Sequence, residues 1–231
     1  MMLSVIIPVL NEAPNLERLL PDLPDKCPGA EVIVVDGGST DGTLQVVGRF
    51  PFARPVMSPR GRAKQMNAGV HEAQGEVLLF LHADAVLPHG ASEAIRGALA
   101  DPDTVGGRFD INLESSRLAM QVIAFFMNLR SRLTRIATGD HAIFVRQKIF
   151  AEMGGYPNIP LMEDVEFTKR LKRRGRIACL PLRVTASVRK WEQEGLLRTV
   201  LLMWTLRFLY FFGVSPARLH LLYYGHAPSV E

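Results

Sequence analysis

The chain has 231 residues, 48% of them hydrophobic, with a net charge of +4 and a pI near 9.3. That length buries a full core, best as one large domain, and the composition excludes a disordered chain. Two distant cysteines, Cys27 and Cys179, exclude a disulfide framework, and a run of eight Lys or Arg without an acid over residues 169–189 points to an anionic partner.

In chain order, residues 3–9 (LSVIIPV) form a short β-branched run read as the first strand, with no basic segment ahead of it, so no signal peptide is expected. Asn11 and Glu12 make a turn, and residues 13–23 carry leucines at helical spacing until the prolines and glycine of 24–29 stop them. A second strand over 31–35 ends at Asp36. The loop GGSTDG follows and opens a helix at about Thr43. Residues 55–58 read as an edge strand and 61–74 as a helix bearing Arg62, Lys64 and Asn67. Residues 77–81 are a continuous apolar run, as expected of a strand buried on both faces, and they end abruptly at His82-Ala83-Asp84. A helix over 91–99 completes a fourth β-α unit. The expected fold is therefore α/β, with a mostly parallel, twisted, doubly wound sheet flanked by helices.

The second half is less regular. Residues 104–113 and 142–145 read as strands, 163–174 as a helix, and 177–180 and 184–188 as two further strands. Residues 117–135 form a helix whose polar groups Arg117, Gln121, Asn128, Arg132 and Arg135 fall on one narrow stripe. The rest of that helix is apolar, so it is expected to be buried on most sides or to lie in a membrane interface. Residues 196–214 are the most hydrophobic segment but contain Arg198 and Arg207. An Arg near the centre of a span costs on the order of 3 kcal/mol, so a helix packed on protein or at a membrane surface is expected in place of a crossing one.

Three strand ends thus offer polar groups to one edge of the sheet: Pro8 to Glu12, Asp36 with its loop, and Asp84. In open α/β sheets ligands bind outside the carboxyl ends of strands, and hard cations take carboxylate and phosphate oxygens together. Each residue also has a structural explanation: Asn11 and Glu12 as turn and first-turn acid, Asp36 and Asp41 as turn and cap, Glu163 and Asp164 as helix-start acids. No glycine fingerprint follows the first strand, which argues against a nicotinamide oxidoreductase, and neither a P-loop nor GxSxG nor HExxH is present.

The segments SVIIPVLNE, VDGGSTDGT, the strand ending in HAD, and MED at 162–164 occur in an order and spacing that resembles glycosyltransferase family 2. TGDHAIFVR at 138–146 and RKWEQEGLLRT at 189–199 resemble more narrowly a small bacterial subgroup labelled as arsenosugar-biosynthesis-type glycosyltransferases. The resemblance implies a GT-A fold and transfer of a sugar from a nucleotide-diphosphate sugar, a UDP-sugar being favoured, with inversion. It implies a nucleotide pocket of Pro8, Asn11, Glu12, Asp36, Asp41 and Ala83, with Arg62 and Asn67 near the diphosphate or sugar. Asp84 would bind Mn²⁺ or Mg²⁺. Asp164, or in second place Glu163, would be the general base.

The first acid of the DxD-like motif is His82 here, so the metal would rest on Asp84, phosphate oxygens and a neutral His82. Because the acid is missing, a non-catalytic binder of nucleotide sugars or anionic lipid is the alternative. The Q-x-x-R-W motif of processive synthases is absent, which favours transfer of a single sugar. Asp140 and His141 are candidate acceptor or metal groups, and Trp191 a candidate for stacking on a sugar or for packing. Residues 1–190 are expected to form the transferase domain, with a nucleotide half to about 100 and an acceptor half beyond. Residues 191–231 would be a helical extension. The expected partners are a nucleotide sugar, a lipid-linked acceptor at the inner face of a membrane, and a second copy of the chain, with no nucleic acid.

Overall fold

The structure, a computed structural model, describes residues 1–189 and 195–225. The elements begin with β1 (Leu3–Val9), α1 (Ala13–Lys26), β2 (Glu31–Asp36), α2 (Thr43–Val47), β3 (Ala53–Met57), α3 (Arg62–Glu72), β4 (Val77–Phe80), β5 (Ala85–Val86) and α4 (Ala91–Ala98). They continue with β6 (Thr104–Leu113), α5 (Leu118–Thr134), a 3-10 turn at Gly139–His141, β7 (Ile143–Arg146), α6 (Gln147–Glu152), α7 (Glu163–Leu171), β8 (Arg176–Ala186), α8 (Leu196–Phe211) and α9 (Pro216–Tyr224).

The described strands join in one sheet of order β3-β2-β1-β4-β7-β6-β8-β5. Strands β3, β2, β1 and β4 are parallel; β7 runs against β4 and β6, while β8 is parallel to β6. Only β7 and β5 therefore oppose the common direction, and the mostly parallel α/β expectation holds with a mixed second half. Alternation along β1 sends Val5 and Ile7 into the layer under α1, α2 and α4, and Ile6 into the layer under α3, α6 and α7.

Four local expectations need correction. Helix α1 does not stop at Leu23 but continues through Pro21 and Pro24 to Lys26. Burial of Leu16, Leu19, Leu20 and Leu23 against the sheet outweighs the hydrogen bonds the prolines remove. The two strands expected over 177–188 are one, β8, whose register against β6 slips between the pairs Phe109–Leu180 and Asp110–Arg183, so that Pro181 and Leu182 bulge out. Helix α6 and the short strand β5 were not expected. Nor was α9, although its boundaries carry Ser215-Pro216 at the start and Gly225 at the end, a legible pair of caps.

Helix α5 turns the C-terminal part of its polar stripe toward the sheet, while Arg117 and Gln121 stay exposed. Asn128 exchanges two hydrogen bonds with the backbone of Ile111, accepting from its N–H at 2.8 Å and donating to its carbonyl at 2.9 Å. Arg132 Nη2 donates to Asp110 Oδ2 at 2.6 Å, and Arg135 Nη1 to the Ile177 carbonyl at 3.0 Å. Asp110 is shared with Arg108, a guanidinium only 1% exposed that also donates to the Phe109 carbonyl. Met120 and Ala124 supply the apolar part of the same contact. Leu118, Phe125, Phe126 and Leu133 are left exposed, Leu133 by 76%. Of the two environments expected for this helix, burial on most sides is ruled out.

Helices α8 and α9 pack Leu206 and Leu219 against Met162 and Val165 at the start of α7, while Trp204, Phe208 and Phe211 face outward. Among the described residues no helix is long and apolar enough to cross a membrane.

The Arg108–Asp110–Arg132 group predicts a large effect from a single change. Asp110→Ala leaves a buried guanidinium without its carboxylate, and the expected loss is about 3–5 kcal/mol of unfolding free energy in urea titration. A loss below 1 kcal/mol would mean that α5 is held by its apolar contacts alone.

Candidate active site

The carboxyl ends of β1 and β2 are held by α3. Gly69 lies so close to Ile6 and Val35 that a side chain there would collide with both, and this approach brings Gln65 over the strand ends. The Gln65 amide donates to the Val9 carbonyl at 2.7 Å and the Val35 carbonyl at 2.8 Å. Asp36, fully buried, accepts from the N–H groups of Gly38 and Ser39 through Oδ2, while its Oδ1 is buried with no partner in the protein.

The loops after these two strands are stapled together. Asn11, in a left-handed conformation, accepts from the Thr40 N–H at 2.8 Å, and its own N–H donates to Ser39 Oγ at 2.8 Å. Asp41 accepts from the N–H groups of Ala13 and Thr43 and from the Thr43 hydroxyl, and that hydroxyl is the main reason its carboxyl sits below the usual range.

Beyond these loops opens a cavity of about 1190 Å³. Its polar walls come from the end of β1 (Pro8, Glu12), the start of α3 (Arg62), the turn after β4 (His82, Ala83, Asp84), the 138–140 turn (Asp140) and the start of α7 (Glu163, Asp164). Helices α5 and α8 supply the apolar walls. Residues separated by up to 156 positions thus share one space. The cavity walls do not include Asn11, Asp36 or Asp41. Asn67 departs furthest from expectation. Both of its amide atoms clamp the Tyr156 backbone at 2.9 Å, outside the cavity.

Met162 takes a left-handed conformation that turns the chain into α7, so Glu163 and Asp164 begin the helix at the cavity wall. Asp164 accepts from the Val165 N–H at 2.6 Å through Oδ1 and from the Gly139 N–H at 2.8 Å through Oδ2. Burial pushes the Glu163 carboxyl up to about 7, the neighbouring Asp164 adds to the rise, and Arg62 opposes it. Burial also works against the charge of Asp140, but the hydrogen bond and charge of His82, then Arg62, outweigh it and hold that carboxyl far below the usual range.

Of the two histidines, His82 lies in the cavity wall as expected and His141 does not. The Nδ1 of His82 faces Asp140 Oδ1 at 3.4 Å, and its ring lies so tightly on Gly139 that any side chain there would collide with Nε2. Asp140 thereby holds Nδ1, and the ring stands in the cavity wall near Asp84. His141 is fully buried and outside the cavity, with Nδ1 at 3.1 Å from Thr138 Oγ1. Burial, then Arg108, pushes it down to about 3, so it is neutral and unavailable to an acceptor. Trp191 lies outside the described residues. Among the cavity residues that the sequence reading did not name as site residues are Arg130 and Arg207. The available signal was each one's isolation: Arg130 sits opposite the polar stripe of α5, among apolar neighbours.

A family model described as Glycosyl transferase family 2 matches residues 4–154. The chain is 31% identical over 185 residues to the glycosyltransferase AglE of Haloferax volcanii, covering 72% of this chain and 60% of that protein. It is 32% identical over 169 residues to a PGL/p-HBAD biosynthesis glycosyltransferase of Mycobacterium bovis, covering 67% of this chain and 63% of that one. Among solved structures, S. aureus TarS 1-349 superposes with a TM-score of 0.67 at 23% identity, covering 81% of this chain and 60% of the other, and shares the GT-A fold. The mannosyltransferase PcManGT of Pyrobaculum calidifontis, in complex with GDP-Man and Mn²⁺, gives 0.62 at 25% identity, covering 80% and 56%. The chain therefore spans little more than half the length of these relatives.

The raised Glu163 carboxyl has a consequence for stability. Between its ordinary value of 4.5 and about 7 the folded state binds a proton that the unfolded state has lost, so stability falls as pH rises through that window. Glu163→Gln is expected to reduce the fall by about 1–3 kcal/mol when urea unfolding is compared at pH 5 and pH 7.5. Identical pH slopes in the two proteins would contradict the burial argument.

Proposed function

The chain belongs to glycosyl transferase family 2, and from that premise we propose that it moves a single sugar from a nucleotide-diphosphate sugar to an acceptor hydroxyl, with inversion at the anomeric carbon. The observation that carries this reading is that Asp84, at the end of β4, and the Glu163–Asp164 pair, at the start of α7, are walls of one cavity. A single displacement needs that pairing: one group to hold the departing diphosphate and another to take the proton of the incoming hydroxyl.

Asp84 is the proposed ligand of a divalent cation. Its carboxylate is exposed to the cavity, and among the described residues no cluster of three His, Cys, Asp or Glu surrounds it. One carboxylate with substrate phosphates and water is a set that Mg²⁺ or Mn²⁺ accepts, and the residues present fit that group without His82. When bound, the ion would neutralise charge developing on the diphosphate.

Asp164 is the proposed base. Two backbone N–H groups fix its orientation, leaving its remaining lone pairs for the acceptor hydroxyl. Glu163, partly protonated near neutrality, adds less negative charge beside it than a normal carboxylate would. Arg62 is raised above its ordinary value, since Glu163, with Tyr224, Asp140 and Asp164, outweighs the burial that opposes its charge. It is thus a permanent cation, suited to the donor diphosphate. Pro8, Glu12 and Ala83 would line the nucleotide pocket and Asp36 would support it from behind through the Gly38 and Ser39 N–H groups it holds. A UDP-sugar is the donor we favour.

The acceptor is proposed to be lipid-linked and met at the inner face of a membrane, because Leu118, Phe125 and Leu133 of α5 and Phe208 and Phe211 of α8 are exposed around an apolar-walled cavity. Residues 1–190 would be the transferase unit and the remainder a helical cover on its acceptor side.

Thermal-shift measurements with UDP-, GDP- and dTDP-sugars, with and without Mn²⁺, test the donor. A UDP-sugar is expected to raise Tm, more so with Mn²⁺, and Asp84→Ala to remove the Mn²⁺-dependent part. Asp164→Asn should keep the donor shift while donor turnover falls by about 10²–10⁴-fold. Turnover indifferent to both changes, or donor binding without turnover in the wild type, would favour a binding module over an enzyme.

A further inference from the structure

The apolar half of the cavity contains two guanidinium groups that no described residue pairs in a salt bridge. On α5, Ile123, Met127 and Leu133 share a cavity-facing stripe with Arg130; on α8, Val200 and Met203 share one with Arg207. A guanidinium in apolar surroundings is normally paired, because an unpaired buried charge costs several kcal/mol. Arg108 and Arg132, a short distance along the chain, obey that rule through Asp110. Neither Arg130 nor Arg207 forms a salt bridge with any described residue, and Arg130 Nε and Nη2 are buried with no hydrogen-bond partner.

The two arginines line the same cavity. Burial, and next the like charge of Arg207, push Arg130 down to about 10, and burial lowers Arg207 as well. Asp164 is the acid that opposes the fall at both, joined at Arg207 by Asp140. Both arginines therefore share the cavity with the proposed base and feel its charge. Two guanidinium groups in one cavity, one of them with buried N–H donors that have no partner, match the charge and the oxygen geometry of a phosphate dianion better than those of a single carboxylate.

We propose that Arg130 and Arg207 form an oxyanion subsite for the acceptor, so that the molecule receiving the sugar carries a phosphate group close to the reacting hydroxyl. This rests on the transferase reading above and adds the acceptor's chemical class to it. A phosphate carried on an apolar chain and a free phosphate ester share the recognised group, and the surrounding apolar walls bear on which of them binds.

The test uses the full chain saturated with UDP and Mn²⁺, so that the donor's diphosphate position is already filled. Inorganic phosphate, octyl phosphate and, as an uncharged control, octyl glucoside are titrated calorimetrically. The wild type is expected to bind both phosphates. Arg130→Gln and Arg207→Gln should each weaken them at least tenfold while the Kd for UDP stays within twofold, and Arg207→Lys should recover part of the loss. Octyl phosphate binding tenfold or more tighter than inorganic phosphate would identify a lipid-type source, and equal affinities a free ester; either supports the subsite.

Equal phosphate binding in wild type and Gln variants, or none in the wild type, would overturn the proposal. So would a parallel loss of UDP affinity, which would assign the arginines to the donor. If a Gln variant fails to fold, Arg207→Lys decides: it must weaken phosphate without weakening UDP. Absence of UDP binding with arginine-dependent phosphate binding intact would instead overturn the donor reading and leave the subsite standing.

Discussion

The carboxylate of Asp110, held between Arg108 and Arg132, determines which way α5 faces. Asn128 and Arg135 extend the same contact along the backbones of β6 and β8, so the helix docks by the C-terminal part of its polar stripe. An amphipathic helix on a sheet ordinarily does the reverse. Here fixed polar partners on β6 outweigh the burial that Leu118, Phe125 and Leu133 forgo. The cavity inherits its character from this orientation. One flank of α5 becomes its apolar wall, opposite α8, and Arg130 is carried into that wall with its Nε and Nη2 lacking a hydrogen-bond partner.

The other half of the cavity is built on the ordinary logic of a parallel sheet, whose strand ends leave backbone groups and loops at one edge. Gln65 and Asp36 satisfy those groups from behind, Asn11 and Asp41 tie the loops together, and Asp84 is left facing the open space. Opposite it, the left-handed Met162 and the Gly139 N–H fix Asp164, and Gly139 in turn lies under the His82 ring. A glycine at 139 therefore serves two contacts at once: its N–H holds a carboxylate, and its missing side chain makes room for an imidazole. Electrostatics divide the two acids at the start of α7, since burial lifts Glu163 toward neutrality while Asp164 keeps two backbone donors.

Much of this was legible before any coordinates. Strands β1, β2, β4 and β6 and helices α3, α4 and α7 follow apolar periodicity and cap residues closely enough to be placed within a few positions. The polar strand ends named Asp84, His82 and Glu12 as cavity residues. Family resemblance, not periodicity, brought in Asp164, because acids at a helix start are ordinary by themselves. Local signals misled where tertiary packing prevailed. Pro24 lies inside α1 because four leucines need the sheet, and Pro181-Leu182 bulges within a single strand because β6 pairs on both sides of it.

The order of apolar runs and turn residues by itself determined an α/β chain with acids at the carboxyl ends of its strands, since these depend on neighbours a few positions apart. Tertiary structure alone decided what those groups touch. It gave Asn67 to the Tyr156 backbone and Nδ1 of His82 to Asp140. It set Arg130 and Arg207, 77 positions apart in sequence, in the walls of one cavity with no salt bridge to any described residue. Pairing of polar groups is settled by distances across the fold, and a sequence pattern of period two or 3.6 carries no record of them.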